Sequence, residues 1–215
     1  MMKPYYEHAG IRIFHGDAID LMESIVAEIS VTDPPYGIAY KSGARRDKLA
    51  ASIVGDTDTS LRDCFLQHWG ERPALVFGTW RIPRPEKTRA RLIWDTKGAL
   101  GMGDLSIPWK PSDQEIYVCG SGFTGHRGTN VLRYAPIQAT AVNGRLHPHQ
   151  KPVKLLEALI AKCPKYGRIF DPFMGSGSTL IAAKNLGRDA IGVEIDEAYC
   201  EIAAQRLSQE VLEFA

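Results

Sequence analysis

The sequence predicts an α/β fold, a doubly wound and mostly parallel sheet with helices on both faces. Three observations predict it. Short apolar runs of strand length recur along the chain, and helix-like stretches stand between them. The clearest stretch runs strand, Gly175-Ser176-Gly177 turn, helix, strand, helix, over residues 168–207. A chain of 215 residues suits one domain with a full core, and no repeat or low-complexity tract divides it. Residues 1–215 are therefore read as a single domain.

Ile11-Arg12-Ile13-Phe14 reads as a strand ending at Gly16-Asp17. Residues 18–29 have helix-like spacing at Ile19, Met22, Ile25 and Val26. Ile29-Ser30-Val31-Thr32 is a second strand, stopped by Pro34-Pro35. Residues 37–60 are polar, basic and Gly-containing, as in a mobile loop. A helix is expected over 61–69 and a buried strand at Ala74-Leu75-Val76-Phe77. Arg91-Leu92-Ile93-Trp94 and Glu115-Ile116-Tyr117-Val118 read as further strands. Residues 120–146 are Gly-rich and aperiodic, an insertion or irregular region. Pro152 can open a helix with Val153, Leu156, Leu159 and Ile160 on one face. Then come a strand at 168–170, a helix over 178–186 ending at Gly187, a strand at 190–193 and a helix over 197–207.

Composition is that of a soluble globular protein, 44% hydrophobic and 24% charged. No apolar run approaches the roughly 20 residues of a membrane span. Met1-Met2-Lys3-Pro4-Tyr5 lacks the apolar stretch of a secretory signal, so a cytosolic setting is expected. Cys64, Cys119, Cys163 and Cys200 are far apart and form no C-x-x-C pair, which argues for free thiols and against a metal site. The net charge is only +1, so any nucleic-acid contact must come from local clusters. Two exist: Lys41, Arg45, Arg46 and Lys48, then Arg81, Arg84, Lys87, Arg89 and Arg91.

Four motifs carry candidate chemistry. In Phe170-Asp171-Pro172-Phe173-Met174-Gly175-Ser176-Gly177-Ser178 a strand enters a glycine turn and a helix. The glycines let a ligand approach the backbone closely. Glu194 ends the next strand, where such folds place an acid for ribose hydroxyls. G-x-G without a third glycine suits a nucleoside lacking pyrophosphate. Asp33-Pro34-Pro35-Tyr36-Gly37 is an ordinary strand end, yet its rigid turn can fix the Asp33 carboxylate and Pro34 carbonyl as paired acceptors for an amino group. Tyr36 offers a face for a base. His147-Pro148-His149-Gln150-Lys151-Pro152-Val153 opens a helix with polar groups that can meet a carboxylate. Gly16-Asp17-Ala18 follows the first strand, and Asp17 can cap the helix from Ala18.

Together, D-P-P-Y, H-P-x-Q-K-P and D-P-F-x-G-S-G-S resemble the amino-group DNA methyltransferases, over about residues 11–207. The catalytic motif precedes the cofactor loop, as in the permuted beta group. The resemblance implies a Rossmann-like methyltransferase sheet with one antiparallel edge strand, and S-adenosylmethionine as cofactor. It implies that Asp33, Pro34, Pro35 and Tyr36 hold a flipped base. Asp171, Pro172, Phe173, Gly175, Ser176, Gly177 and Ser178 would line the cofactor, with Glu194 and Ile195 at its ribose. Gln150, Lys151 and Asp33 would lie at its methionine end, and Asp17 and Ala18 by its adenine. No metal is implied.

The resemblance further implies DNA as partner. The basic residues Lys41, Arg45, Arg46 and Lys48, in a loop near 38–55 directly after the catalytic turn, are expected to contact its phosphates, with a solvated surface loop as the other reading. Arg81, after a core strand, can also approach it. Trp80 is either a neighbouring DNA contact or core packing. A short target-recognition insertion falls near 119–146, as in a compact phage- or prophage-type solitary enzyme. His149 stands where the family commonly has Thr. Homodimers occur in the family. Asp33 leans toward adenine, since the cytosine-N4 enzymes more often carry Ser there. An RNA base or a protein glutamine amide as target, and a non-catalytic DNA-binding relic, are the other readings. All of the site assignments require the turn at 33–36 and the loop at 173–177 to meet at one end of the sheet.

Overall fold

The computed structural model describes residues 2–36, 58–98, 103–137 and 150–209. Its strands are β1 (Tyr6–His8), β2 (Ile11–His15), β3 (Ile29–Thr32), β4 (Ala74–Gly78), β5 (Thr88–Asp95), β6 (Asp113–Cys119), β7 (Val131–Arg133), β8 (Ile169–Asp171) and β9 (Ala190–Glu194). Its helices are α1 (Ala18–Leu21), α2 (Ser60–Trp69), α3 (Val153–Ile160), α4 (Ser178–Asn185) and α5 (Glu197–Ser208).

Among the described residues the strands form one nine-stranded sheet, ordered β1-β2-β9-β8-β3-β4-β6-β5-β7. The central strands β2, β9, β8, β3 and β4 are mutually parallel. The mostly parallel sheet is the expected one. Its antiparallel strands are β1 at one edge and β6, set between β4 and β5. This is the Rossmann-like methyltransferase architecture.

Alternation along the strands builds two cores, one on each face. On one face Ile13, Val31, Leu75, Phe77 and Ile169 pack with Leu155, Leu156 and Leu159 of α3, Leu180 of α4 and Ala203 and Leu207 of α5. On the other, Phe14, Val76, Tyr117, Phe170 and Val193 pack with Phe65 and Trp69 of α2 and with Ala18 of α1. Neighbouring strand residues such as Ile169 and Phe170 thus point to opposite cores, as the two-residue period requires.

Three sequence expectations change. The helix expected over 18–29 stops at Leu21, followed by a single 3-10 turn at Met22–Ser24. The chain after that turn is held from afar: Arg168 donates to Val26 O at 2.9 Å and Arg72 to Ala27 O at 2.9 Å. Tertiary bonds override the local periodicity there. β1 was not legible, because only Tyr6 of it packs on the core. It folds back onto β2 through Ala9 and Gly10, both with positive φ, a tight hairpin turn. The irregular region at 120–146 contributes a strand, β7, which pairs with β5. Its residues 138–146 lie outside the described residues.

All four cysteines are free, with Cys119, Cys163 and Cys200 buried. Among the described residues no helix is long and apolar enough to cross a membrane, and no cluster of His, Cys, Asp or Glu suits a metal ion.

Phe170 is 1% exposed and its ring stacks on Trp69 at 5.7 Å and tilts against Phe65 at 6.2 Å. Phe170→Ala is expected to destabilise the domain by about 3–5 kcal/mol in urea unfolding. A loss below about 1 kcal/mol would contradict the packing described.

Candidate active site

Because the central strands are parallel, their carboxyl ends share one edge of the sheet. β3 pairs directly with β8, Ser30 opposite Phe170. The turn after β3, residues 33–36, and the loop after β8, residues 172–177, therefore leave the sheet side by side. Thr32 ties the two exits together by donating to Asp171 Oδ1 at 2.7 Å. The spatial condition set by the sequence is met.

The first turn is held from within and from across the site. The Tyr36 hydroxyl donates to Asp33 Oδ1 at 2.5 Å. The Lys151 ammonium pairs with Asp33 Oδ2 and lies 3.4 Å from the Tyr36 hydroxyl. Asp33, Pro35 and Tyr36 are half-buried and Pro34 is buried. Gln150 is half-buried beside Lys151, whose helix-start position follows from Pro152 at the N-cap of α3. His147, Pro148 and His149 lie outside the described residues.

The second loop is built on a buried carboxylate. Asp171 accepts from Thr32 and from the Phe173 amide at 3.2 Å. Burial pushes its pKa up to about 6 against the pull of these hydrogen bonds and of Thr179, and nearby Asp33 adds to the rise. Gly177 adopts φ +78°, and a Cβ there would stand 2.8 Å from the Ala203 Cβ of α5. That position accepts only glycine without a backbone shift. Phe173 is half-buried, with its ring edge-on to Phe65 at 6.3 Å, while Pro172, Ser176 and Ser178 are buried.

Glu194 ends β9 opposite His15 of β2. Its Oε2 accepts from the Gly175 amide at 2.9 Å and its Oε1 from the Asp196 amide at 2.9 Å. Burial raises its pKa, opposed by those amides. Ile195 is partly exposed, and its carbonyl accepts from His15 Nε2 at 3.1 Å. Asp17 caps α1 by accepting from Ile19 N at 2.7 Å, and Ala18 is buried behind it.

Sequence reasoning missed Arg206. From α5 it donates to the Ser176 carbonyl and, at 3.1 Å, to Ser176 Oγ, clamping the glycine turn from behind. Burial lowers its pKa to about 10. No local signal marks it, since the residues it joins are 30 positions apart.

The basic clusters fare differently. Lys41, Arg45, Arg46 and Lys48 lie outside the described residues, as does the loop near 38–55. In the second cluster, Arg84 and Arg91 are bound to the buried carboxylate of Glu115 at 3.4 and 2.7 Å. Lys87 pairs with Glu71, and Arg89 donates to Gly120 O at 2.8 Å. Arg81 is exposed at the carboxyl end of β4, its guanidinium 5.7 Å from the ring centroid of Trp80. Trp80 is 72% exposed, so it is not core packing.

The three buried cysteines are poor nucleophiles. Burial raises the pKa of Cys163 and of Cys200 to about 12, and raises that of Cys119.

The sheet order and its parallel centre give the fold of the Rossmann-like methyltransferases. Residues 117–205 match the family described as DNA methylase, of the N6/N4 group. Along 97% of its length the chain is 25% identical to the type II methyltransferase M.ScaI of Streptomyces caespitosus, covering 84% of that protein. A segment of 65 residues, 30% of the chain and 24% of its relative, is 49% identical to the type II methyltransferase M2.DpnII of Streptococcus pneumoniae. Among solved structures, the cytosine-N4-specific PvuII DNA methyltransferase superposes with TM-score 0.73 at 16% identity, over 98% of this chain and 91% of that one. The M1.HpyAVI–SAM complex does so with TM-score 0.67 at 20% identity, over 93% and 100%. The segment from 117 to 205 thus carries the N6/N4 DNA methyltransferase family's pattern, and M.ScaI, which matches most of the chain, is a type II methyltransferase.

Asp171 makes a pH prediction. Its folded pKa of about 6 lies above the ordinary value of 3.8. The stability it contributes is complete below about pH 4 and lost as pH rises through about 6. Relative to Asp171→Asn, the wild type is expected to lose up to about 3 kcal/mol of unfolding free energy between pH 4 and pH 7. Parallel urea titrations of the two proteins would measure it, and identical pH profiles would contradict it.

Proposed function

We propose that this protein transfers a methyl group from S-adenosylmethionine to the exocyclic amine of adenine in DNA. The observation that carries this reading is the adjacency of the Asp33 turn and the 172–177 loop on paired strands β3 and β8.

The donor set suits this cofactor. The carboxyl-end edge gathers Asp17, Asp33, Asp171 and Glu194, an acidic environment hostile to a polyphosphate and favourable to a sulfonium cation. Glu194 retains lone pairs beyond its two amide bonds for a ribose diol. Asp171, Pro172, Phe173, Gly175, Ser176, Gly177 and Ser178 would form the wall of this pocket, with Ile195 beside the ribose. Asp17 and Ala18 would lie at the adenine and Gln150 and Lys151 at the methionine end. When bound, S-adenosylmethionine supplies a methyl group open to in-line displacement.

The chain's own residues do the rest by position and electrostatics. The target amine must leave the duplex, because its nitrogen is shielded in the stack. Asp33 and the Pro34 carbonyl accept its two hydrogens and aim its lone pair. Tyr36 offers a stacking face, and Pro35 keeps the turn rigid. The high pKa values of the buried cysteines fit a direct transfer with no covalent enzyme intermediate.

For DNA, the exposed Trp80–Arg81 pair stands at the same edge of the sheet as the Asp33 turn. The basic run Lys41, Arg45, Arg46 and Lys48 is proposed to contact phosphates, which orient a duplex without reading it. The insertion near 119–146 is proposed to read the target, and the early position of D-P-P-Y fits the permuted beta order. Adenine is favoured over cytosine because Asp33 stands where the resembled cytosine-N4 enzymes more often carry Ser.

Asp33→Ala is expected to lower methyl transfer to DNA to background while cofactor binding is retained, measured with tritiated cofactor and by calorimetry. Nucleoside mass spectrometry of the wild-type product is expected to show N6-methyladenine. N4-methylcytosine instead would sink the adenine assignment, and normal turnover by the variant would sink the site. Charge reversal at Arg45 and Arg46 is expected to flatten the salt dependence of DNA affinity by roughly two in the log–log slope, one for each phosphate no longer neutralised. An unchanged slope would rule out phosphate binding by these two arginines.

A further inference from the structure

Asp33 has a second partner that the proposed chemistry does not use. Lys151 is desolvated, its side chain only 6% exposed, and its ammonium pairs with Asp33 Oδ2. The Phe77 ring centroid lies 4.9 Å from that ammonium and the Tyr36 ring 5.8 Å, so aromatic faces enclose it. Tyr36 donates to the remaining oxygen, Oδ1. In this arrangement Asp33 serves as counterion to a buried lysine. The ammonium draws on the same negative charge that an incoming amine needs, which weakens Asp33 as an acceptor. Pulling the pair apart removes that attraction from a desolvated ammonium, which is costly unless another anion takes its place.

A carboxylate entering this pocket meets an edge rich in Asp and Glu. Arg206 is committed to Ser176 behind the glycine turn. Lys151 is the cation on the Asp33 side. We propose that Lys151 is a positioning residue shared between two carboxylates, Asp33 and the amino-acid carboxylate of the methyl donor. Engagement of the second frees Asp33 for the target amine. The protein thereby couples filling of the donor site to competence for the base, in the sense that linkage requires. The proposal rests on the donor assignment given above.

The test reads binding, not turnover. Calorimetry compares S-adenosylhomocysteine, which carries the amino-acid part, with 5′-methylthioadenosine, which lacks it. Asp33→Asn removes the competing charge at constant shape. It is expected to tighten S-adenosylhomocysteine by about fivefold or more and to leave 5′-methylthioadenosine unchanged. Lys151→Met is expected to weaken the first ligand by a similar factor and spare the second. Urea unfolding checks that each variant is folded, and if Lys151→Met is not, the Asp33→Asn comparison decides alone. An unchanged or weakened affinity of Asp33→Asn for S-adenosylhomocysteine overturns the proposal while leaving the donor assignment intact. Failure of the wild type to bind either ligand overturns the donor assignment and this proposal with it.

Discussion

The parallel pairing of β3 with β8 is the constraint on which the site depends. Ser30 stands opposite Phe170, and the Ser30 hydroxyl donates to the Phe170 carbonyl at 3.0 Å. Two residues further along β3, Thr32 reaches Asp171. These bonds join segments about 140 positions apart and fix the register of both strands. A slip of one residue would turn Ile169 and Phe170 to the wrong cores, so the apolar pattern enforces the register that the polar bonds read out. With the register set, the two turns have no freedom to separate.

The same geometry concentrates negative charge. Asp171 and Glu194 sit at adjacent strand ends with raised pKa values, because burial outweighs the hydrogen bonds each accepts. Backbone amides of Phe173, Gly175 and Asp196 partly compensate these carboxylates. Each carboxylate thereby holds a loop: Glu194 ties Gly175 to the end of β9, and Asp171 ties Phe173 to the end of β8. Arg206 completes the arrangement from α5 by binding Ser176. The glycine turn is thus fixed from three directions before any ligand contact is considered, which is the preorganisation that a positioning mechanism needs.

A second buried network serves the neighbouring loop. Glu115 on β6 is almost fully buried and binds Arg84, Arg91 and the Tyr117 hydroxyl, the last at 2.7 Å. Its pKa is lowered despite burial, because Tyr117 and the two guanidiniums favour the charged form. Arg62 reinforces the same region by donating to the Pro83 carbonyl at 2.8 Å. The segment between β4 and β5 is therefore anchored on both sides while Trp80 and Arg81 remain outward. A basic cluster in a sequence is thus a poor guide to free positive surface: four of its five members are already engaged.

The sequence by itself determined what is local. Strand ends marked by Asp-Pro, the Gly-Ser-Gly turn, the Asp17 cap and the apolar face of α3 depend on neighbours within a few residues, so they could be read directly. Helices and strands from residue 152 onward were legible for the same reason. Only the tertiary structure decided the early end of α1 and the path after it, where Arg72 and Arg168 bind carbonyls that are distant in sequence. It alone added β1 and β7, three-residue strands defined by their pairing with β2 and β5. It also decided that Lys151 meets Asp33 across 118 positions, that Arg206 backs the glycine turn, and that Trp80 faces outward. Side-chain encounters of this kind are set by strand order and register, which no local pattern encodes.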